Sequence, residues 1–233
     1  MSTAMQPLRV TIEFSSPVAT LSDQPYHLDG LLAYCLSQYY LEDGHPDPWQ
    51  AAKDLSVGLM KHEQDDQNWV WCASQLVLTP ASGRYDLPQT RKCEPLSYKG
   101  AQEQGLLKGR RKFNMISSSS GVNKQYYLLC NYQWLKHAQG WCLGNLEQLQ
   151  MAFEYLTYIG KYAKNGFGRI HAVHVEVDEA AHMRWQWRHM PYSFQGNGHI
   201  EYTLKQGQLR PSYWKKRDQI PLLAPVDADF LSS

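Results

Sequence analysis

The stretch YIGKYAKNGFGRIHAV, residues 158–173, gathers Gly160, Gly166 and Gly168 with Lys161, Lys164 and Arg169 between apolar flanks. Glycines let backbone amides approach a ligand or adopt positive φ, and the surrounding cations point to an anion. A nucleotide-binding loop of the form GxxxxGK[ST] runs from a strand into a helix N-terminus, where aligned amides meet the phosphates. The pattern here predicts the opposite order, with Gly160 closing a helix and Gly168 opening a strand. A phosphate would then meet the unfavourable end of the helix dipole, and the three cations must supply the attraction. The glycine spacing also fails the GxGxxG dinucleotide fingerprint. Such a loop suits an extended chain of phosphates, its amides against one sugar-phosphate backbone and its cations beside neighbouring phosphates. The plain alternative is a helix-terminating turn with solvated lysines.

Other residues compete for a chemical role. Between Arg84 and Lys112 eight cations stand against three anions, and Lys108, Arg110, Arg111 and Lys112 form the densest group, although the net charge of the whole chain is only +1. A second basic run, Tyr213 to Arg217, sets two rings beside Lys215, Lys216 and Arg217. Trp185 and Trp187 alternate as on one strand face and, like Tyr126 and Tyr127, are candidates for stacking on bases, with core burial the commoner fate. His171 and His174 lie three apart in an expected strand and point to opposite faces, unlike ligands one helical turn apart. Asp65 with Asp66, and Asp227 with Asp229, read as solvated acidic surface. Ser117 to Ser120 have no neighbouring histidine to activate a nucleophile. No metal site and no cofactor are expected.

These residues must be positioned by a core, and apolar content of 43% with eight Trp and fifteen Tyr provides for one. Leu8 to Phe14 alternates with period two, a half-buried strand. In HLDGLLAYCLSQYYL, residues 27–41, Leu28, Leu31, Leu32, Cys35, Leu36 and Tyr39 recur at helical spacing, with Asp29 near the start where a carboxylate suits the dipole. Residues 69–79 read as a strand, 83–121 as an excursion, and 125–134 as a strand again. Asn145 to Ile159 is an N-capped amphipathic helix, stopped at Gly160. Ile170 to Val177 is a strand with apolar residues on both parities, which suggests a bulge near Ala172 or burial on both faces. Strands are also expected at Trp185–Trp187 and His199–Lys205, before a Pro-punctuated basic tail. Strand and helix repeated in two halves gives an α+β, ferredoxin-like (RRM-like) core, an antiparallel sheet with two helices, here with a glycine-rich loop and an inserted thumb-like excursion. The organisation expected is a core over 1–180 with the basic insertion at about 84–121, and C-terminal strands and tail over 181–233 packed on the same domain. Five scattered cysteines without a CxxC pair read as reduced thiols. With no signal-like N-terminus and no apolar run of membrane-spanning length, a cytoplasmic protein without membrane contact is expected.

The early HLDGLLAY helix, paired with a later IGKYAKNGFGR loop directly after the second helix, resembles the RAMP superfamily of CRISPR effector subunits. More narrowly it resembles the five-type Cas subunit of type IV systems. The likeness covers about residues 8–42 and 145–177. It implies a non-catalytic subunit of a guide-RNA effector complex, holding the repeat-derived 5′ handle of the guide RNA beside backbone and large subunits. Gly160, Lys161, Lys164, Gly166, Gly168 and Arg169 map onto the family's RNA-binding loop, and Lys108, Arg110, Arg111 and Lys112 fit its thumb by position. Contact with target DNA beside the protospacer-adjacent motif is a further implication. His27 stands where guide-processing relatives place a catalytic histidine; a histidine bracing the helix start is the preferred account, and His27 is otherwise counted among the RNA-binding residues. The alternatives are a metal-independent endoribonuclease that matures the guide, and a protein-interaction module whose basic segment docks an acidic partner.

Overall fold

The computed structural model describes residues 4–20, 25–91, 100–101, 103–105, 125–196, 198–213 and 219–226. Lys108, Arg110, Arg111 and Lys112, the Ser117–Ser120 run, Trp214, Lys215, Lys216 and Arg217, and the Asp227 and Asp229 pair lie outside the described residues. The chain divides into two compact units, residues 1–83 with 133–233, and residues 84–132.

Strand β1 (Gln6–Phe14) buries Leu8, Val10 and Ile12 on one face, the alternation its sequence dictates. It pairs antiparallel with β6 (Tyr126–Gly144) on one side and with β7 (Ile170–Val177) on the other. The short β2 (Val18–Thr20) and the long β5 (Val77–Arg91) also join β6, so that five strands make the main sheet among the described residues. The register between β1 and β7 slips by one residue, with Glu13 opposite Ala172 and Phe14 opposite Ile170. His171 is thus the extra residue of a bulge, which accounts for the two apolar parities of that strand.

Helices α1 (Leu28–Glu42) and α3 (Leu146–Phe153) pack on the face carrying Leu8, Val10 and Ile12. A short α2 (Pro48–Ala51) lies between them in sequence, its first turn capped by Asp47, whose side chain accepts from the Gln50 amide at 3.0 Å. The α3 cap is as expected, Asn145 accepting from the Gln148 amide at 3.0 Å. Its end is not: the helix stops at Phe153, and Gly160 is no helix stop. Tyr155, Thr157, Tyr158 and Ile159 are aromatic or β-branched, poor continuations of a helix, and the backbone of 157–161 bonds into the glycine loop instead.

The C-terminal region forms a second layer. Helical turn α4 (Ala181–Arg184) covers the other face of the sheet, its Arg184 guanidinium 5.0 Å from the Trp141 ring. β8 (Met190–Pro191), β9 (Tyr202–Gly207) and β10 (Ile220–Pro225) make a separate antiparallel sheet. It buries Met190, Leu222 and Ala224 against Val70 and Cys72, which belong to or follow β4 (Trp69–Trp71), the partner of β3 (Lys61–Glu63). The expected strand at Trp185–Trp187 is absent; the chain turns there, and both indoles are core, at 5% and 4% exposure. They are not stacking platforms. The single strand expected over 69–79 is likewise broken, into β4 and the start of β5.

In the unit of residues 84–132, Tyr85 stacks on Tyr132 with centroids 5.4 Å apart and 26° between planes. Tyr126, Tyr127, Leu128 and Leu129 there are all exposed.

Candidate functional site

The glycine loop is held by its own hydrogen bonds. The Ile159 amide donates to the Gly168 carbonyl at 2.9 Å, and the Ile170 amide to Thr157 at 3.0 Å. Lys161 donates to Ala19 of β2 at 3.0 Å, Gly168 to Pro17 at 2.8 Å, and Arg169 to Ser16 Oγ at 2.8 Å. Between these anchors the chain makes one 3-10 turn, Ala163–Asn165, with Asn165, Gly166 and Phe167 donating inside it. Most of the loop's amides are therefore engaged within the chain.

The glycines serve that internal arrangement. A Cβ on Gly168 would stand 1.8 Å from the Ile159 carbonyl oxygen, and one on Gly160 2.8 Å from the Ala19 oxygen, both at positive φ. Only Gly166 of the three faces open space, and its φ of +87° is what calls for glycine. This corrects the expectation that glycine clearance and amides would hug a phosphate chain: the clearance at Gly160 and Gly168 is for the loop's own backbone. What the loop turns outward is charge. Lys161, Lys164 and Arg169 are all exposed, and none is ion-paired among the described residues. Arg169 also opens onto a groove of about 790 Å³ between α3 and β7, bordered by Tyr158, His171 and His174. The bulge breaks the strict alternation that would have sent the two histidines to opposite faces. Among the described residues no cluster of three or more His, Cys, Asp or Glu could hold a metal.

His27 is not part of that surface. It is 3% exposed, stacked on Tyr213 with centroids 4.2 Å apart and packed 4.5 Å from His189, and neither ring nitrogen has a hydrogen-bond partner among the described residues. It borders a pocket of about 150 Å³ with His189, Lys205 and Tyr213. Burial pushes its pKa well below the ordinary histidine value, helped by His189 and Arg188, so the ring is neutral. The side chain is thus enclosed by its neighbours rather than displayed at the surface.

The same motif carries a residue whose role the spacing did not reveal. Asp29 and Arg188 are both fully buried, and the Arg188 Nη1 and Nη2 groups donate to Asp29 Oδ2 at 3.3 and 3.2 Å. Arg188 also donates to the carbonyls of Trp71 at 2.6 Å, Ala73 at 2.9 Å, Leu209 at 2.6 Å and His189 at 3.1 Å. Tyr213 donates its hydroxyl to Asp29 at 2.8 Å and accepts from Arg188 at 3.0 Å, while the Gly30 amide donates to Asp29 Oδ1 at 2.9 Å. Burial pushes the Asp29 pKa up and is opposed by Arg188 and Tyr213; burial also opposes the Arg188 charge, yet Asp29 and Tyr213 together outweigh it and hold that pKa above its usual value. The signal available in the sequence was a carboxylate inside the apolar stripe of α1, which requires a buried cation. HLDG thus ties the first helix to the C-terminal layer.

The profile of the CRISPR type IV associated protein Csf3 matches residues 6–225, from the first residue of β1 to the last of β10. The chain belongs to the Csf3 family. Csf3 is the Cas5-like subunit of type IV CRISPR systems, which gives this chain a role in a type IV CRISPR complex. The Csf3 match takes in the middle and the C-terminal layer, where the sequence offered no recognisable motif, and therefore the whole Asp29–Arg188–Tyr213 network. No curated protein matches the chain. No helix among the described residues is long and apolar enough to cross a membrane.

Proposed function

We propose that this Csf3-family chain is a non-catalytic RNA-binding subunit of a type IV effector complex, holding the repeat-derived 5′ handle of the guide RNA. The observation that carries the reading is the loop of residues 158–169. It sets Lys161, Lys164 and Arg169 outward, without an ion pair among the described residues, on a backbone anchored to β2, next to the groove bordered by Tyr158. Cations held on a rigid frame neutralise successive phosphates at little ordering cost, and aromatic or polar groups alongside can hold splayed bases. The order β1, α1, β5, β6, α3, β7, with strands arranged β5-β6-β1-β7, supports a ferredoxin-like core of the RAMP kind. The unit of residues 84–132, with Lys108, Arg110, Arg111 and Lys112 in its sequence, fits the thumb on that reading. Contact with target DNA near its protospacer-adjacent motif, and a cytoplasmic setting, belong to the same proposal.

A neutral, enclosed His27 favours the non-catalytic form over a guide-maturing nuclease. Purifying the chain from cells that transcribe its cognate repeat, then sequencing the copurifying RNA, tests the binding; discrete repeat-derived RNA is expected, and retained protein partners without RNA would overturn it. Repeat cleavage in EDTA that His27→Ala abolishes would overturn the non-catalytic assignment.

A further inference from the structure

Helices α1 and α3 lie side by side on the core, and neither contains a lysine or arginine. Between them and residues 54–58 runs a groove of about 340 Å³, lined by Leu36, Tyr39, Val57, Met151 and Tyr155. Tyr39, Val57 and Met151 are 45%, 65% and 47% exposed, large apolar side chains set together rather than scattered. Asp54 and Glu154 border the groove, no cation lines it, and Glu42 faces the Tyr155 hydroxyl.

We propose that this groove docks a cationic amphipathic helix from a protein partner, its apolar residues between Tyr39, Val57 and Met151, its lysines or arginines against Glu42, Asp54 and Glu154. The charge selects the occupant. A nucleic acid would bring phosphates to a surface with acids and no cation, and a second copy of this chain would bring the same acids across a two-fold axis. Apolar anchors with a flanking complementary charge describe helix-in-groove recognition. The groove shares no residue with the loop cations, so failure here leaves the RNA reading standing, and the converse.

The test uses the full chain coexpressed with the other subunits of its own type IV system, with a benzophenone side chain installed at Val57, an exposed position. Photolysis should join Val57 to a Lys- and Arg-rich helical segment of another subunit. Attachment to RNA, to a second copy, or to nothing overturns the proposal. In parallel, fluorescence anisotropy measures binding of a labelled model helix of about 18 residues, long enough to be helical, with leucines at i, i+3, i+4 and i+7 and lysines elsewhere. A twin with glutamates for lysines is the control. The lysine helix should bind and the glutamate helix should not, and Val57→Arg with Met151→Arg should weaken binding about tenfold, as loss of central anchors does, with the melting temperature unchanged. Equal binding of the two helices, or indifference to the paired substitution, would overturn it.

Discussion

Asp29→Asn should destabilise this protein as strongly as a core truncation. Asparagine has nearly the shape of aspartate and can still accept from the Gly30 amide and the Tyr213 hydroxyl, so packing is preserved. It leaves Arg188, at 0% exposure, without a counter-ion. Breaking a buried pair from one side costs about 3–5 kcal/mol; because every other Arg188 partner survives, about 3 kcal/mol applies. A chain of 233 residues loses about 2–4 °C of Tm per kcal/mol, so the midpoint should fall by roughly 6–12 °C. Arg188→Met is harsher, since it strands the Asp29 carboxylate and the carbonyls of Trp71, Ala73, Leu209 and His189 together. Its cost of about 5 kcal/mol or more rivals the whole stability of a typical domain, and little folded protein should accumulate. Adding Asp29→Asn to Arg188→Met should recover part of that loss, the sign of coupling between direct partners. Circular dichroism melts with matched urea titrations read these values. An Asp29→Asn midpoint within about 2 °C of the parent, at the scale expected of a surface change, would refute the view that this pair locks α1 to the C-terminal layer.

Two further outcomes follow from the structure. His189 is held down to about 4 by burial, with Arg188 and Lys205 adding to it, and His27 is lowered as well. Both are neutral when folded but take protons when unfolded below about pH 6.5. Their contribution is therefore complete above that pH and is lost as pH falls, by up to about 1.4 kcal/mol per pH unit for each histidine. His27→Phe should halve this acid sensitivity, and urea midpoints that stay flat from pH 7 to 5 would contradict it. Gly168→Ala, whose Cβ meets the Ile159 oxygen at 1.8 Å, should disrupt the loop far more than Gly166→Ala, which bears only a backbone penalty of about 1 kcal/mol; equal melting of the two would show that the loop does not cross itself so closely.

The parts of the fold legible beforehand were those where one period had no rival. LRVTIEF alternates cleanly and forms β1, the repeat from Leu28 to Tyr39 forms α1, and Asn145 announces α3 through its cap. Trp185 and Trp187 misled because two residues at spacing two are also what a tight turn places in a core. The end of α3 was placed late because Leu156 and Ile159 continue the helical spacing while serving the loop and core instead. Gly160 and Gly168 were legible as glycines that something requires, yet whether that something is a ligand or the chain's own carbonyl depends on the approach to Ile159 and β2. Arg188 pairs with Asp29 across 159 residues, a distance over which no local pattern speaks.

The central claim is that Lys161 and Lys164 neutralise RNA phosphates, and the salt dependence of RNA affinity tests it most directly. With a labelled cognate repeat RNA, log K against log salt should be steep for the parent chain. Each lost phosphate contact on a single strand removes about 0.7 from that slope. Lys161→Ala with Lys164→Ala should therefore weaken binding and flatten the slope by roughly 1.4, while the melting temperature holds because both side chains are exposed. An unchanged affinity with an unchanged slope would contradict the account and leave the loop as a structural crossing alone.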